Sequence, residues 1–373
     1  MRVAIDATAL GTARGGDDTH VRAVILGLAA LLEDGAHDQF PLLVRPGAAI
    51  PSAAARPEFP IHHVGGNSVI RHTLSIPAAL RAAAPIDLLH SALHAPPISP
   101  VPVVLHVADI SFRRHPEFFP PLTRLRLNLL VPLHVKQATI VTTVSEFSRQ
   151  DLIAAYGLSP ERVLLIPDAV IDVLSDPHPP TPIPHTAPPY FCYLGNLHPR
   201  KNVPRLIQAF LQARRSCPEL SEHQLVIAGG AWWGGAREEE LARGAPPGSI
   251  RLLGRVSNEE RSGLLRGAAA LVYPSLFEGF GLPPVEAMAL GTPVLAANVS
   301  AMPEVLGDAA LLVNPLSTDA IAEGLVRLGT SPGLRAELSR RGLERAARYT
   351  TRATGEAALR AFRFALSRAV QKR

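Results

Sequence analysis

Two carboxylates, Glu278 and Glu286, bracket a Gly-rich turn in YPSLFEGFGLPPVEAMALGTPV, residues 273–294. The pattern predicts a strand ending near Tyr273, then a loop carrying Glu278, Gly279, Phe280 and Gly281. A helix should open at Pro283-Pro284, a position proline favours, and stop at Gly291 with Pro293 just beyond. The unpaired N–H groups of such a helix start form an anion site, and glycines let a phosphate come close to the backbone. One carboxylate can then bond a group beyond the phosphates while the other reaches a different polyol, since carboxylates accept from sugar hydroxyls. A lone Glu pair reads more simply as a solvated acidic pair beside a helix cap. The strand end, Gly-rich turn and helix start together favour the ligand site.

A second segment, YLGNLHPRKNVPRLIQAF at residues 193–210, has the same form. A strand ends at Gly195, a loop holds Asn196 and then Arg200-Lys201-Asn202, and a helix begins near Pro204. Two adjacent cations at a strand-to-helix turn suit a diphosphate. The alternative is an ordinary basic turn. Only three of the 37 basic residues are lysines, Lys136, Lys201 and Lys372, so a lysine here points to a need for a compact ammonium.

The elements that must position these groups alternate. Strands are predicted at residues 2–6, 42–44, 87–90, 102–107, 140–144 and 163–166. They recur at 190–194, 224–228, 250–253, 270–273, 293–296 and 310–313. Helical spacing follows Gly15-Gly16, with Asp17, Asp18 and Thr19 as caps, and recurs at 203–215, 258–267, 283–290, 319–328 and 333–348. This is the rhythm of an α/β chain with two doubly wound, Rossmann-like parallel sheets. Residues 174–189 hold seven prolines in sixteen positions and read as a stiff linker. The expected organisation is therefore residues 1–173, the linker, residues 190–355, and a terminal helix over 356–373. Leu359, Phe362, Leu366 and Val370 make one face of that helix, which is expected to pack across both domains. Ligands in such sheets lie beyond the carboxyl ends of the strands.

With 373 residues, 47% hydrophobic and 18% charged, the chain can bury two large cores. No apolar run reaches the length of a membrane span, and the apolar stretch of MRVAIDATAL is too short for a signal peptide. Cys192 and Cys217 have no metal spacing, and a reducing cytoplasm is expected. The net charge of +5 suits an anionic ligand or peripheral contact with an acidic membrane surface, and no nucleic-acid motif is present. No G-x-G-x-x-G follows the first strand, which argues against a dinucleotide oxidoreductase. No His/Asp/Glu set has metal-ligand spacing, so no metal is expected.

Glu278 to Glu286, E-G-F-G-L-P-P-V-E, resembles the Glu-x7-Glu motif of the retaining GT-B glycosyltransferases of family 4, and residues 195–202 resemble the same family's G-x-x-x-P-R-K-N. The resemblance spans nearly the whole chain. It implies two Rossmann-like domains facing each other across a cleft. It also implies transfer from a nucleotide diphosphosugar, such as GDP-mannose or a UDP-sugar, with retention and without a metal. The acceptor would be a glycan, a lipid-linked molecule or a small molecule. A nucleotide-sugar epimerase and a donor-binding module without transfer are the alternatives. By resemblance, Glu278 contacts the sugar and Glu286 the ribose. The amides of Phe280, Gly281 and Leu282 face the diphosphate or sugar, and Gly16 belongs to the first Gly-rich loop. Some members carry an Arg directly after the glycine; here that place is Asn196, so one clamp charge is either missing or supplied by Arg200. Asp109 matches the Asp of a His-Asp pair whose His is replaced by Ala108. His106, on the same strand face as Ala108, either supplies the lost group or is a core histidine. His90 and His94 are open in the same way.

Overall fold

The structure is a computed structural model, and it describes residues 1–12, 16–32, 38–171, 189–233 and 235–371. The chain divides into two compact units: Met1–Ala169 with Thr350–Arg373, and Val170–Tyr349.

The first unit is a seven-stranded parallel sheet in the order β3-β2-β1-β4-β5-β6-β7. Its strands are β1 (Val3–Asp6), β2 (Leu42–Val44), β3 (Ile61–His63), β4 (Leu88–Ala92), β5 (Val103–His106), β6 (Ile140–Thr143) and β7 (Val163–Leu165). The order reverses between β1 and β4, so the carboxyl ends of those two strands flank the switch point where open α/β sheets take ligands. The edge strand β3 was not predicted. Its Ile-His-His sequence is largely exposed and carries no apolar run.

Helices cover both faces. On one, Val21, Val24, Ile25 and Leu28 of α1 (Gly16–Leu32) pack with Leu42, Leu88 and Phe362. On the other, Val131 and Val135 of α2 (Pro121–Gln137) pack with Ile76, Leu105 and Leu152.

The second unit repeats the plan with six parallel strands in the order β10-β9-β8-β11-β12-β13. These are β8 (Tyr190–Leu194), β9 (Gln224–Ala228), β10 (Ile250–Gly254), β11 (Ala270–Tyr273), β12 (Val294–Ala297) and β13 (Leu311–Val313). Here the switch point lies between β8 and β11. The helices that matter for the site are α3 (Val203–Ser216), which follows β8, and α4 (Leu282–Ala289), which follows β11.

The last helix, α5 (Thr351–Gln371), begins before the predicted residue 356 and is part of the first unit. It lies on α1 so closely that a Cβ on Gly27 would stand 2.1 Å from the Thr351 carbonyl oxygen. A Cβ on Gly355 would stand 2.4 Å from the Gly27 carbonyl carbon. This contact uses Gly355, Ala357 and Ala358, small residues that leave little trace in an apolar pattern. Val370, assigned to the apolar face, is 75% exposed. The predicted linker lies outside the described residues except for Pro189.

Candidate functional site

Lys201 and Glu278, far apart in sequence, meet at the switch point of the second sheet. After β8 the chain passes Gly195 and Asn196 and makes a short 3-10 turn, Pro199–Lys201, capped by the His198 ring, whose Nδ1 accepts from the Arg200 amide. Asn202 follows in the left-handed region and starts α3. Its side-chain amide donates to the carbonyls of Pro274 (3.0 Å) and Pro315 (2.7 Å), which ties this loop to the ones after β11 and β13. The Leu276 amide donates to the Arg200 carbonyl at 2.7 Å, closing a second tie between the β8 and β11 loops.

Held in this way, three charged side chains converge. Glu278 accepts from Lys201 Nζ at 2.5 Å on Oε1 and from Arg200 Nη1 at 2.7 Å on Oε2. Arg200 Nη1 also donates to the Phe277 carbonyl at 2.8 Å. Lys201 Nζ donates to the Tyr273 hydroxyl and lies 4.8 Å from that ring's centre. Lys201 and Glu278 are each 5% exposed. Burial alone would raise the Glu278 carboxyl, but the Arg200 and Lys201 charges outweigh it and hold the carboxyl at about 2. Glu278 is therefore ionised at neutral pH, and the buried Tyr193 and Tyr273 hydroxyls beside it are pushed far up, first by burial and then by the Glu278 charge.

The loop from Glu278 into α4 is anchored from the next strand. The Glu278 amide donates to Ser300 Oγ at 3.0 Å, and the Ala301 amide to the Glu278 carbonyl at 3.3 Å. Gly281 caps α4 at φ 96°, where a Cβ would also strike the Met302 methyl at 2.2 Å, so only glycine fits. Phe280 turns its ring into the interior against Tyr349. Leu282 and Pro283-Pro284 open α4 as predicted, one residue early. Glu286 sits on the buried side of α4, 4% exposed, with Arg261 Nη2 3.2 Å from its Oε1.

Of the predicted set, the structure brings Arg200, Lys201 and Glu278 together. Gly195 stands at the end of β8, and Asn196 gives its carbonyl to the Tyr193 hydroxyl. Sequence reasoning missed Tyr273, Ser300 and Arg261. The first two could be placed only by knowing that the β8, β11 and β12 loops are neighbours, and Arg261 lies on a separate helix, Asn258–Gly267. Among the described residues no group of three or more His, Cys, Asp or Glu side chains is arranged to hold a metal ion.

In the first unit the predicted residues separate. Gly16 is the first residue of α1, and Gly15 lies outside the described residues. Asp109 is half-buried and accepts from the Ser111 amide at 2.8 Å. His106 is 1% exposed and stacks on His20 with ring centres 3.4 Å apart, in the interior of the first unit. His20 Nδ1 faces the Asp168 carboxylate at 3.1 Å. His90 is equally buried and lies against Phe362.

The polar groups at the β1/β4 switch point are others. Asp6 ends β1 and accepts from Ser91 Oγ and Thr8 Oγ1, each at 2.7 Å, with His72 Nε2 at 3.6 Å. Burial lowers the His72 pKa, but its bond and charge contact with Asp6 outweigh this and raise it. His94 stands between His72 and His134. No motif marked Asp6 or His72, because a strand-end Asp and a helical His are common.

The chain is similar in sequence and in fold to several known proteins. Residues 180–345 match the family model of the group 1 glycosyl transferases. An O-antigen chain mannosyltransferase B of Escherichia coli is 31% identical over 253 residues, 65% of this chain and 65% of that protein. An MMP alpha-(1->4)-mannosyltransferase of Mycolicibacterium hassiacum is 32% identical over 57% of this chain and 50% of its own length. The chain thus spans between half and two thirds of these relatives. Among solved structures, a sucrose-phosphate synthase from Thermosynechococcus elongatus aligns with a TM-score of 0.76 at 20% identity, covering 97% of this chain and 98% of that one. An Anabaena protein in complex with UDP and glucose aligns at 0.73 and 19%, covering 97% and 99%. The fold is that of these GT-B structures: α/β, with two Rossmann-like parallel sheets.

Proposed function

We propose that the chain is a retaining family 4 glycosyltransferase that moves a sugar from a nucleotide diphosphosugar to a glycan or lipid-linked acceptor. The observation that carries this reading is the buried Arg200–Lys201–Glu278 cluster at the β8/β11 switch point, beside the start of α4. Two cations held by one carboxylate are fixed before any ligand arrives. A leaving diphosphate then meets positive charge that needs no reorganisation, which is where electrostatic stabilisation is greatest. The N–H groups of Gly281 and Leu282 add the helix-start contribution. Glu278 thus acts first by holding Lys201 and Arg200, and its remaining acceptor capacity faces the sugar. Glu286, braced by Arg261, takes the ribose.

The acceptor oxygen bonds to the anomeric carbon on the face that the diphosphate leaves, which keeps the configuration, and the acceptor's proton passes to an oxygen of the departing diphosphate. Arg200 and Lys201 supply the charge that a metal would otherwise bring, so transfer proceeds without one. The names of the relatives favour mannose, and GDP-mannose is the first donor to try, ahead of UDP-sugars. The same names favour polysaccharide assembly, and they support a reading in which the chain works in the cytoplasm in peripheral contact with the inner face of the membrane.

Product NMR after reaction in excess EDTA tests this. A new linkage that keeps the donor's anomeric configuration supports the reading. An inverted product, or activity lost in EDTA and restored by Mg²⁺ or Mn²⁺, refutes the retaining, metal-free part. Binding of nucleotide with neither transfer nor hydrolysis would leave a donor-binding module, and a product epimerised at the sugar would leave an epimerase.

A further inference from the structure

Helix α2 is built the wrong way round for a helix facing water. Only Val131, His134 and Val135 are buried. Leu122, Leu125, Leu129 and Leu133 point outward at 78, 57, 59 and 56% exposure. Their spacing of three, four and four residues lines them along one side of the helix, and Lys136 extends the row. A surface helix ordinarily turns such a stripe into the core. The flanking side chains Arg124 and Arg126 are exposed, and residues 118–145 contain no acidic residue.

A second stretch repeats the pattern. Val69, Ile70 and Leu74 are exposed at 68, 45 and 66%, and residues 59–86 contain no acid while including Arg71 and Arg81. The two stretches are neighbours. His94, just beyond β4, has its ring centre 5.8 Å from that of His72 and 5.6 Å from that of His134. The two stretches therefore approach each other at His94, just beyond the carboxyl end of β4.

We infer that this part of the first unit docks on an anionic lipid surface, with the α2 leucines entering the headgroup boundary and Arg124, Arg126 and Lys136 meeting the lipid charge. An aliphatic stripe whose charged neighbours along the helix are all cations is the composition of an interfacial helix. A second copy of the chain is the poorer occupant, because a two-fold contact through α2 would set the basic residues of one copy against those of the other. The inference deepens the proposed use of a lipid-linked acceptor and rests on that reading. Docking would bring such an acceptor to the ligand end of the first sheet.

The test is sedimentation of the full chain with phosphatidylglycerol-containing vesicles and with pure phosphatidylcholine vesicles, at about 0.1 M and about 1 M salt. The wild type should sediment with the anionic vesicles at low salt, weakly at high salt, and not with phosphatidylcholine. The double variant Leu125→Ser/Leu129→Ser, which touches only exposed side chains, should lose about tenfold or more of the binding. It should keep wild-type transfer to a water-soluble acceptor, which separates this inference from the enzymatic one. Failure of that transfer in both proteins would count against the function, not the docking face. The docking inference is overturned by a wild type that ignores anionic vesicles, by equal binding to neutral ones, or by an unchanged double variant. It is also overturned if light scattering shows a dimer that the double variant dissociates while vesicle binding is absent.

Discussion

Replacing Glu278 by Gln removes the one carboxylate that Arg200 and Lys201 share. The carboxyl sits at about 2 in the folded chain against 4.5 for an ordinary glutamate. That difference corresponds to roughly 3 kcal/mol of stability at neutral pH. The folded value is the lower one, so this stability is present above 4.5 and is lost as pH falls through about 2. The wild-type advantage over Glu278→Gln should therefore be about 3 kcal/mol at pH 7 and shrink to roughly half of that by pH 3. Urea unfolding followed by tryptophan fluorescence reads it. The chain's two tryptophans, Trp232 and Trp233, both lie in the second unit, so the signal reports the unit that holds the cluster. A difference under about 0.5 kcal/mol at pH 7 would refute the reasoning, because exposed ion pairs contribute no more than that. A difference that does not change with pH would refute it as well, since it would then come from packing and not from charge.

Lys201→Ala should cost turnover about 10²-fold or more, since it removes charge aimed at the leaving group. Because Lys201 is buried against Glu278, the variant should also melt lower, and normal activity per folded molecule would make Lys201 purely structural. In the first unit, burial holds His90 and His94 down at about 3 and His106 well below its usual value. These rings fold neutral, so their stability is present above the unfolded value near 6.5 and falls as pH drops below it, while His72, raised by Asp6, works the other way. Circular-dichroism melts between pH 7.5 and 5 should show the fall, and His90→Gln should flatten it; an unchanged slope would contradict this. Gly355→Val forces a side chain into the α1–α5 contact and should cost about 1–3 kcal/mol or more, and an unchanged melting temperature would mean the helices are not so close.

The two parallel sheets were readable because buried strands are short apolar runs and their helices carry their own caps. The predicted strands β2, β8, β9 and β11 coincide with the observed ones. The Arg200-Lys201 and Glu278 loops were readable as strand-to-helix turns with unusual composition. That they touch was not, because only the strand order β8-β11 makes the two loops neighbours, and strand order is a tertiary property. The start of α5 was misjudged for a related reason: Gly355 and its alanines pack by being small. His106 shows the limit on single residues. A period-two count places it on the face of Ala108, but the His20 ring that buries it comes from α1, and spacing along β5 contains no trace of that partner.

The central claim is that the β8/β11 switch point of the second unit takes a nucleotide diphosphosugar. Calorimetric titration with GDP-mannose, and with UDP-, ADP- and dTDP-sugars alongside, tests it most directly when wild type and Glu286→Ala are compared. One nucleotide sugar should bind the wild type, and Glu286→Ala should weaken it by about 1.5–3 kcal/mol, the loss expected when a buried polyol loses a charged acceptor. No binding of any of these donors, or equal affinity in a folded Glu286→Ala chain, would contradict the account.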